Sequence, residues 1–194
     1  MAIQPLSRCA WVNENPFMIA YHDHEWGVPV RDNDKKLFEF LLLEGAQAGL
    51  SWQTILNRRE NYRKAFADFN PEAVTQYTEN DVESLLANEG IIRNRAKIQA
   101  AISNAQHFLE TQQAFGSFDA YIWQFVGNKP IINHFANLAD IPSETSQSSV
   151  MSKDLKRRGF KFVGSTICYA FMQAVGMVND HTQNCFRYQE TSIG

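Results

Sequence analysis

From Lys35 to Trp52 the chain reads "KKLFEFLLLEGAQAGLSW", and this stretch limits the fold more than any other. As a helix it has no polar face, so it must be a core element covered on every side. It should loosen at Gly45 and Gly49. The remaining segments carry helical patterns. Ser51 reads as the N-cap of one amphipathic helix, "WQTILNRRENYRKAFADF". Asn70 and Pro71 start "NPEAVTQY", and Thr78 with Asp81 makes a capping box before "VESLLAN". A glycine-bearing turn, "EGIIRNR", leads into a long helix from Arg95, and "DAYIWQFV" is a short one. "IPSETSQSS" reads as a polar surface linker. Ser149 is positioned to cap "VMSKDLKRR", Gly159 to close it, and Gly176 to end "STICYAFMQAVG". Valine and isoleucine never alternate with polar residues over a strand's length. The expected class is all-α, as a single domain over 1–194.

With 44% hydrophobic residues the chain can fill a sizeable core, and its net charge of -3 gives no general attraction to nucleic acid. DNA binding would need a local basic patch. The start, "MAIQPLSRCAWVNENPF", lacks the apolar region of a signal peptide, and no run is apolar enough to span a membrane. Cytoplasmic residence is the expectation. Three cysteines are too few, and odd in number, for a disulfide framework.

Those cysteines raise a different possibility. His181 and Cys185 in "NDHTQNC" stand i and i+4, a spacing that would put both on one side of a helical turn. Cys9 in "RCAWV" and His22 in "YHDHEWG" would complete a Cys2His2 set drawn from both ends of the chain. His24 is a rival ligand. The spacing is not that of a zinc finger, and two free thiols with two ordinary histidines remain the alternative. Four protein ligands would leave no position for water, so such a zinc would be structural.

Glu44 interrupts the apolar run, and a buried carboxylate must find partners or take up a proton. It could bond nearby helix-end amides, or it could await a ligand in a pocket that Gly45 and Gly49 leave room to approach. Trp11, Tyr21, Trp26 and Trp52 lie close in sequence to Glu44 or to the metal candidates. Aromatics are mostly core, but a carboxylate among them would suit a planar, electron-poor heterocycle such as a cationic nucleobase. Basic residues cluster at Arg93, Arg95 and Lys97, and again at Lys156, Arg157, Arg158 and Lys161. The first group sits where a turn enters a helix N-terminus, a place that could hold phosphate, although helix-end charges are usually just solvated.

Together "RCAWV", "IAYHDHEWGVP", "LFEFLLLEGAQAGLSW", "ILNRRENYRKAF", "GIIRNRAKIQAAI" and "RRGFKFVGSTICYAFMQAVGMVNDH", followed by Cys185, closely resemble the DNA-3-methyladenine glycosylase I family. The match covers nearly the whole chain. The resemblance implies a fold of the helix-hairpin-helix DNA glycosylase superfamily with a base pocket between two lobes. The central lobe with its hairpin would cover about 35–135, and the zinc-bearing lobe 1–34 and about 149–188. It implies a structural Zn2+ on Cys9, His22, His181 and Cys185. It further implies Glu44 as the catalytic residue and Tyr21, Trp52, Trp11 and Trp26 around the base. Arg93, Arg95 and Lys97 would meet the DNA backbone, in a hairpin that lacks the superfamily's usual Gly-x-Gly. Phe17 departs from the tyrosine of some members.

The implied activity is base-excision repair. The enzyme would flip 3-methyladenine out of double-stranded DNA and hydrolyse its N-glycosidic bond without lyase action, as a monomer. A lyase would need a buried lysine that the sequence does not offer, and three cysteines cannot hold a four-cysteine iron–sulfur cluster. A zinc hydrolase would need one of the four ligands to be spurious. A non-catalytic module that binds alkylated DNA would use the same pocket residues.

Overall fold

A computed structural model describes residues 6–191. Its helices are α1 (Pro16–His24), α2 (Asp34–Gln47), α3 (Trp52–Leu56), α4 (Arg59–Ala65), α5 (Pro71–Val74) and α6 (Glu79–Ala87). They continue with α7 (Arg95–Phe115), α8 (Phe118–Ile122), α9 (Ser146–Arg157), α10 (Ser165–Ala174) and α11 (Arg187–Glu190). Two-residue strands β1 (Ile131–Ile132) and β2 (Val178–Asn179) pair in parallel, Ile131 with Val178 and Ile132 with Asn179. This small pairing is the one departure from an all-helical pattern among the described residues. It is too short to show as an alternation in sequence.

The α2 helix is the hub, with Leu37 through Glu44 buried without a break. It packs against α7, α10, α3 and α8. Asp34, at its N-terminus, accepts from the amides of Phe118 (2.7 Å) and Asp119 (2.9 Å), so the start of α2 also caps α8. The phenylalanine layer beneath it includes Phe108 stacked on Phe118 with ring centroids 4.1 Å apart.

Three sequence expectations need correction. The stretch after Ser51 is not one helix. Ser51 does cap α3, accepting from the Thr54 amide at 3.2 Å, but the helix stops at Leu56 and restarts at Arg59. The break turns Arg59 inward, where it binds Glu39 (2.7 Å) and Glu25 (2.7 Å). A turn of left-handed residues, Ala67, Asp68 and Phe69, then ends the segment, and Phe69 is fully buried. Nor does Ser149 cap α9. Thr145 does, in a reciprocal box with Ser148, so Ser149 lies inside the first turn. Finally, His181 and Cys185 are not helical; they flank a tight turn in which the Cys185 amide donates to the Thr182 carbonyl (2.7 Å).

The expected stops at Gly159 and Gly176 are present. After α9 the amides of Gly159 and Phe160 donate to Lys156 (3.0 Å) and Leu155 (3.1 Å), a glycine-terminated Schellman closure. Gly176 closes α10 in the same way, at φ +69°. A Cβ there would lie 2.3 Å from the Val28 carbonyl carbon, so backbone meets backbone. Gly176→Ala should therefore destabilise the fold by about 2 kcal/mol or more, read as a lower urea midpoint at unchanged m-value.

Candidate active site and metal centre

The chain's two ends meet behind α1. Cys9, His22, His181 and Cys185 are all buried, and their ligand atoms lie within 4.8 Å of one another. Cys185 Sγ is 3.4 Å from His22 Nε2 and 3.5 Å from His181 Nδ1, and Cys9 Sγ is 3.6 Å from His181 Nδ1. Tetrahedral zinc, with bonds of about 2.3 Å to sulfur and about 2.0 Å to nitrogen, sets its sulfur–nitrogen edges at about 3.5 Å. The fit is close. His24, the rival ligand, is exposed at the end of α1 and is not part of the group.

The second nitrogen of each imidazole fixes its tautomer. His181 Nε2 faces the Trp26 carbonyl at 3.1 Å and can only donate to it, which leaves Nδ1 as a lone pair facing the sulfurs. His22 Nδ1 donates to Asp23 at 2.8 Å, so its Nε2 faces the same point. Asp23 is in turn gripped by Arg8 at 2.6 to 3.1 Å. Burial would raise Asp23, but Arg8 and His22 outweigh it and hold the carboxyl below its ordinary range. The ligand set thus comes with the outer hydrogen bonds that a metal-binding histidine needs.

The histidine rings also support two tryptophans that line a second site. Trp26 meets His181 edge-on with centroids 4.6 Å apart, and Trp11 meets His22 at 5.3 Å and Trp26 at 5.0 Å. On their other side lies a cavity of about 290 Å³ lined by Trp11, Tyr21, Trp26, Glu44 and Trp52. The five residues expected around a ligand therefore share one pocket. Tyr21 and Trp52 pack against each other in its wall, tilted, with ring centroids 5.3 Å apart. Met18, Gln47, Ala170, Gln173, Leu138 and Ile141 complete the lining. Gln47 was findable in sequence, one turn beyond Glu44. Leu138 and Ile141 were not, because only tertiary folding brings that exposed turn over the cavity.

Two buried carboxylates on α2 separate structure from function. Glu39 is met by Arg59 (2.7 Å), Arg63 (3.2 Å) and Lys36 (3.2 Å). Glu44, 3% exposed, has Oε2 without any hydrogen-bond partner. Burial alone pushes its carboxyl up to about 8. The indole Nε1 atoms of Trp11 and Trp52 are also buried and unpartnered. Three orphaned polar atoms around one cavity are costly in a folded chain unless a ligand or water in that cavity satisfies them. Gly45 does not open the pocket as expected. Its Cα faces Phe162, with space for a Cβ at 3.6 Å from that side chain. Gly49 turns the chain after α2 at φ +77°.

The three basic residues lie away from the cavity lining, around the start of α7. Arg93 is exposed and 3.6 Å from Glu89. Arg95 is paired with both Glu79 and Glu83. Lys97 is half-buried and donates to the carbonyls of Ala46 (2.8 Å) and Ala48 (2.7 Å).

Comparisons with known proteins identify the family of the whole chain. A sequence model of the methyladenine glycosylase family matches residues 11–188. The chain is 53% identical to DNA-3-methyladenine glycosylase 1 of Escherichia coli (strain K12) over 183 residues, 94% of this chain and 97% of that protein. It superposes on a crystal structure of 3-methyladenine DNA glycosylase I with a TM-score of 0.90 at 55% identity, covering 93% of this chain and 98% of the other. A second solved structure, a variant of such an enzyme in complex with 3-methyladenine, matches with a TM-score of 0.89 at 38% identity, over 92% and 96%. From its sequence, its fold and its cavity, the chain belongs to the methyladenine glycosylase family.

Proposed function

We propose that this protein excises 3-methyladenine from DNA by hydrolysing its N-glycosidic bond, leaving an abasic site. The observation that carries this reading is Glu44, a carboxyl buried without a partner in an aromatic cavity. With its pKa raised to about 8 by burial, Glu44 is mostly protonated at neutral pH. A protonated carboxyl offers one donor and one acceptor. Adenine's outer edge offers the complement, an N7 acceptor and an N6 amino donor, whereas guanine presents two acceptors there. The orphaned indole N–H groups of Trp11 and Trp52 are two further donors for the ligand.

The target atom is out of reach inside a duplex, so the nucleotide must leave the stack and enter the cavity. Methylation at N3 makes the base cationic and its bond to C1′ labile. As that bond breaks, its electron pair goes to the base, which departs neutral. Water adds to the oxocarbenium-like sugar and loses a proton. The protein's share is selection and positioning. Attraction between an ionised Glu44 and the cationic base would weaken toward the transition state, so charge alone aids recognition more than rate.

The remaining assignments follow the same reading. The turn between α6 and α7 serves as the hairpin of a helix-hairpin-helix fold, and Arg93, on its exposed side, is the best placed of the three basic residues to meet a phosphate. The cavity is the cleft between a central lobe and a metal-bearing lobe. Zn2+ binds Cys9, His22, His181 and Cys185 as a structural ion, and the enzyme works as a monomer on double-stranded DNA without lyase activity. No helix among the described residues is long and apolar enough to cross a membrane.

Base release from methylated duplex DNA tests the activity. Free 3-methyladenine should appear rapidly, with little 7-methylguanine, and borohydride should fail to trap the protein on DNA. A folded, zinc-loaded protein that binds methylated DNA yet releases no base would be a binding module instead.

A further inference from the structure

Lys97 sits 53 residues beyond Glu44 in sequence, at the start of α7, yet its ammonium closes the end of the helix that carries Glu44. The last carbonyls of a helix lack intrahelical donors and carry its negative dipole end. On α2 two of the carbonyls at that end, those of Ala46 and Ala48, both accept from Lys97 Nζ, at 2.8 and 2.7 Å. Ala46 is buried two residues after Glu44, and Ala48 begins the turn through Gly49 to Trp52. One cation therefore holds the point where the Glu44–Gln47 wall of the cavity passes into the Trp52 wall. Desolvation lowers the Lys97 pKa from its ordinary value. Asn94 fixes the base of the lysine by accepting from the Lys97 amide at 3.1 Å.

Nearby groups do not offer the ammonium a second role. Arg95 is committed to Glu79 and Glu83, and among the described residues no carboxylate is paired with Lys97. We propose that Lys97 is a positioning residue for base recognition, fixing the span between Glu44 and Trp52 through the end of α2, and not a contact to the DNA backbone. This rests on the reading of the cavity as the base site.

The two roles give opposite results. With free 3-methyladenine as probe and tryptophan fluorescence as readout, Lys97→Met should weaken base binding about tenfold or more, because small misplacements of a recognition wall are costly. Lys97→Arg, which keeps charge and donors, should restore most of it. The salt dependence of binding to undamaged duplex DNA should not change in either variant. A phosphate contact would instead reduce the logarithmic salt slope by about 1 and leave free-base affinity intact. Unchanged base affinity in Lys97→Met overturns the proposal, whatever happens to its melting temperature. If the wild type itself binds no 3-methyladenine, the base-site reading fails first.

A measurement on the unaltered protein covers the case in which Lys97→Met does not fold. In acetic anhydride labelling followed by peptide mass spectrometry, Lys97 should react slowly both with and without DNA. Rapid labelling in the free protein that DNA suppresses would make it a backbone contact and overturn the proposal.

Discussion

Removing zinc with a strong chelator is expected to lower the melting temperature by about 10 °C or more and to release one ion per chain. Structural zinc sites contribute apparent free energies of about 10 kcal/mol, and a domain of this size shifts by roughly 2–4 °C for each kcal/mol. His181→Ala should behave like the chelated wild type and take up no zinc. The loss should extend to ligand binding. Trp26 rests on the His181 ring and accepts its hydrogen bond, and Trp11 rests on His22. Free-base affinity should therefore fall in the metal-free protein at temperatures where circular dichroism still reports native helix. Purified protein that holds no zinc, or whose melting is indifferent to chelation, would sink the metal assignment. It would leave the two thiols and two histidines as ordinary core residues.

Glu44 should give the wild type a stability that falls as pH rises. Its folded pKa lies near 8, above the 4.5 of an unstrained glutamate, so the folded state binds more protons than the unfolded one between those values. Stability is then highest below about pH 4.5 from this group's standpoint and declines as pH rises toward 8, by about 4 kcal/mol at pH 8. Glu44→Gln removes the titration. Denaturant melts at pH 5 and pH 8.5 should show the variant gaining on the wild type by several kcal/mol across that interval. The same change should damage recognition, because an amide keeps a donor and an acceptor but can never carry the negative charge that attracts a cationic base. Base affinity should drop more than the single-turnover rate on saturating methylated DNA. A large loss in that rate with unchanged base affinity would refute a role in recognition. Equal pH slopes for the two proteins would mean that Glu44 is not buried unpaired as described.

The parts of this molecule that were legible in sequence are those whose signal is local or chemically rare. The buried α2, the caps at Ser51, Asn70 and Thr78, and the glycine stops at Gly159 and Gly176 depend on neighbours a few residues away. Four soft ligands among three cysteines and five histidines stand out in any reading, and the structure brings them together. Glu44 was visible as an anomaly, whereas the burial of Glu39 on the same helix was not. Only folding supplies Glu39 with Arg59, Arg63 and Lys36 while leaving Glu44 with none. The break between α3 and α4 was hidden for the same reason, since it serves Arg59's reach to acids on α2 and just after α1. Lys97 looked like any basic residue at a helix start. The carbonyls it holds are 49 and 51 positions away.

The proposed ligands Cys9 and His22 lie before the exposed turn at residues 136–144, and His181 and Cys185 lie after it. The α2–α10 packing and the β1–β2 pair also bridge that turn. A protease cut in the turn would therefore be silent in solution. The nicked protein should migrate as one particle with its ion, and part into two fragments only under denaturant and chelator. By the same logic, the two fragments expressed separately should find each other again when zinc is supplied.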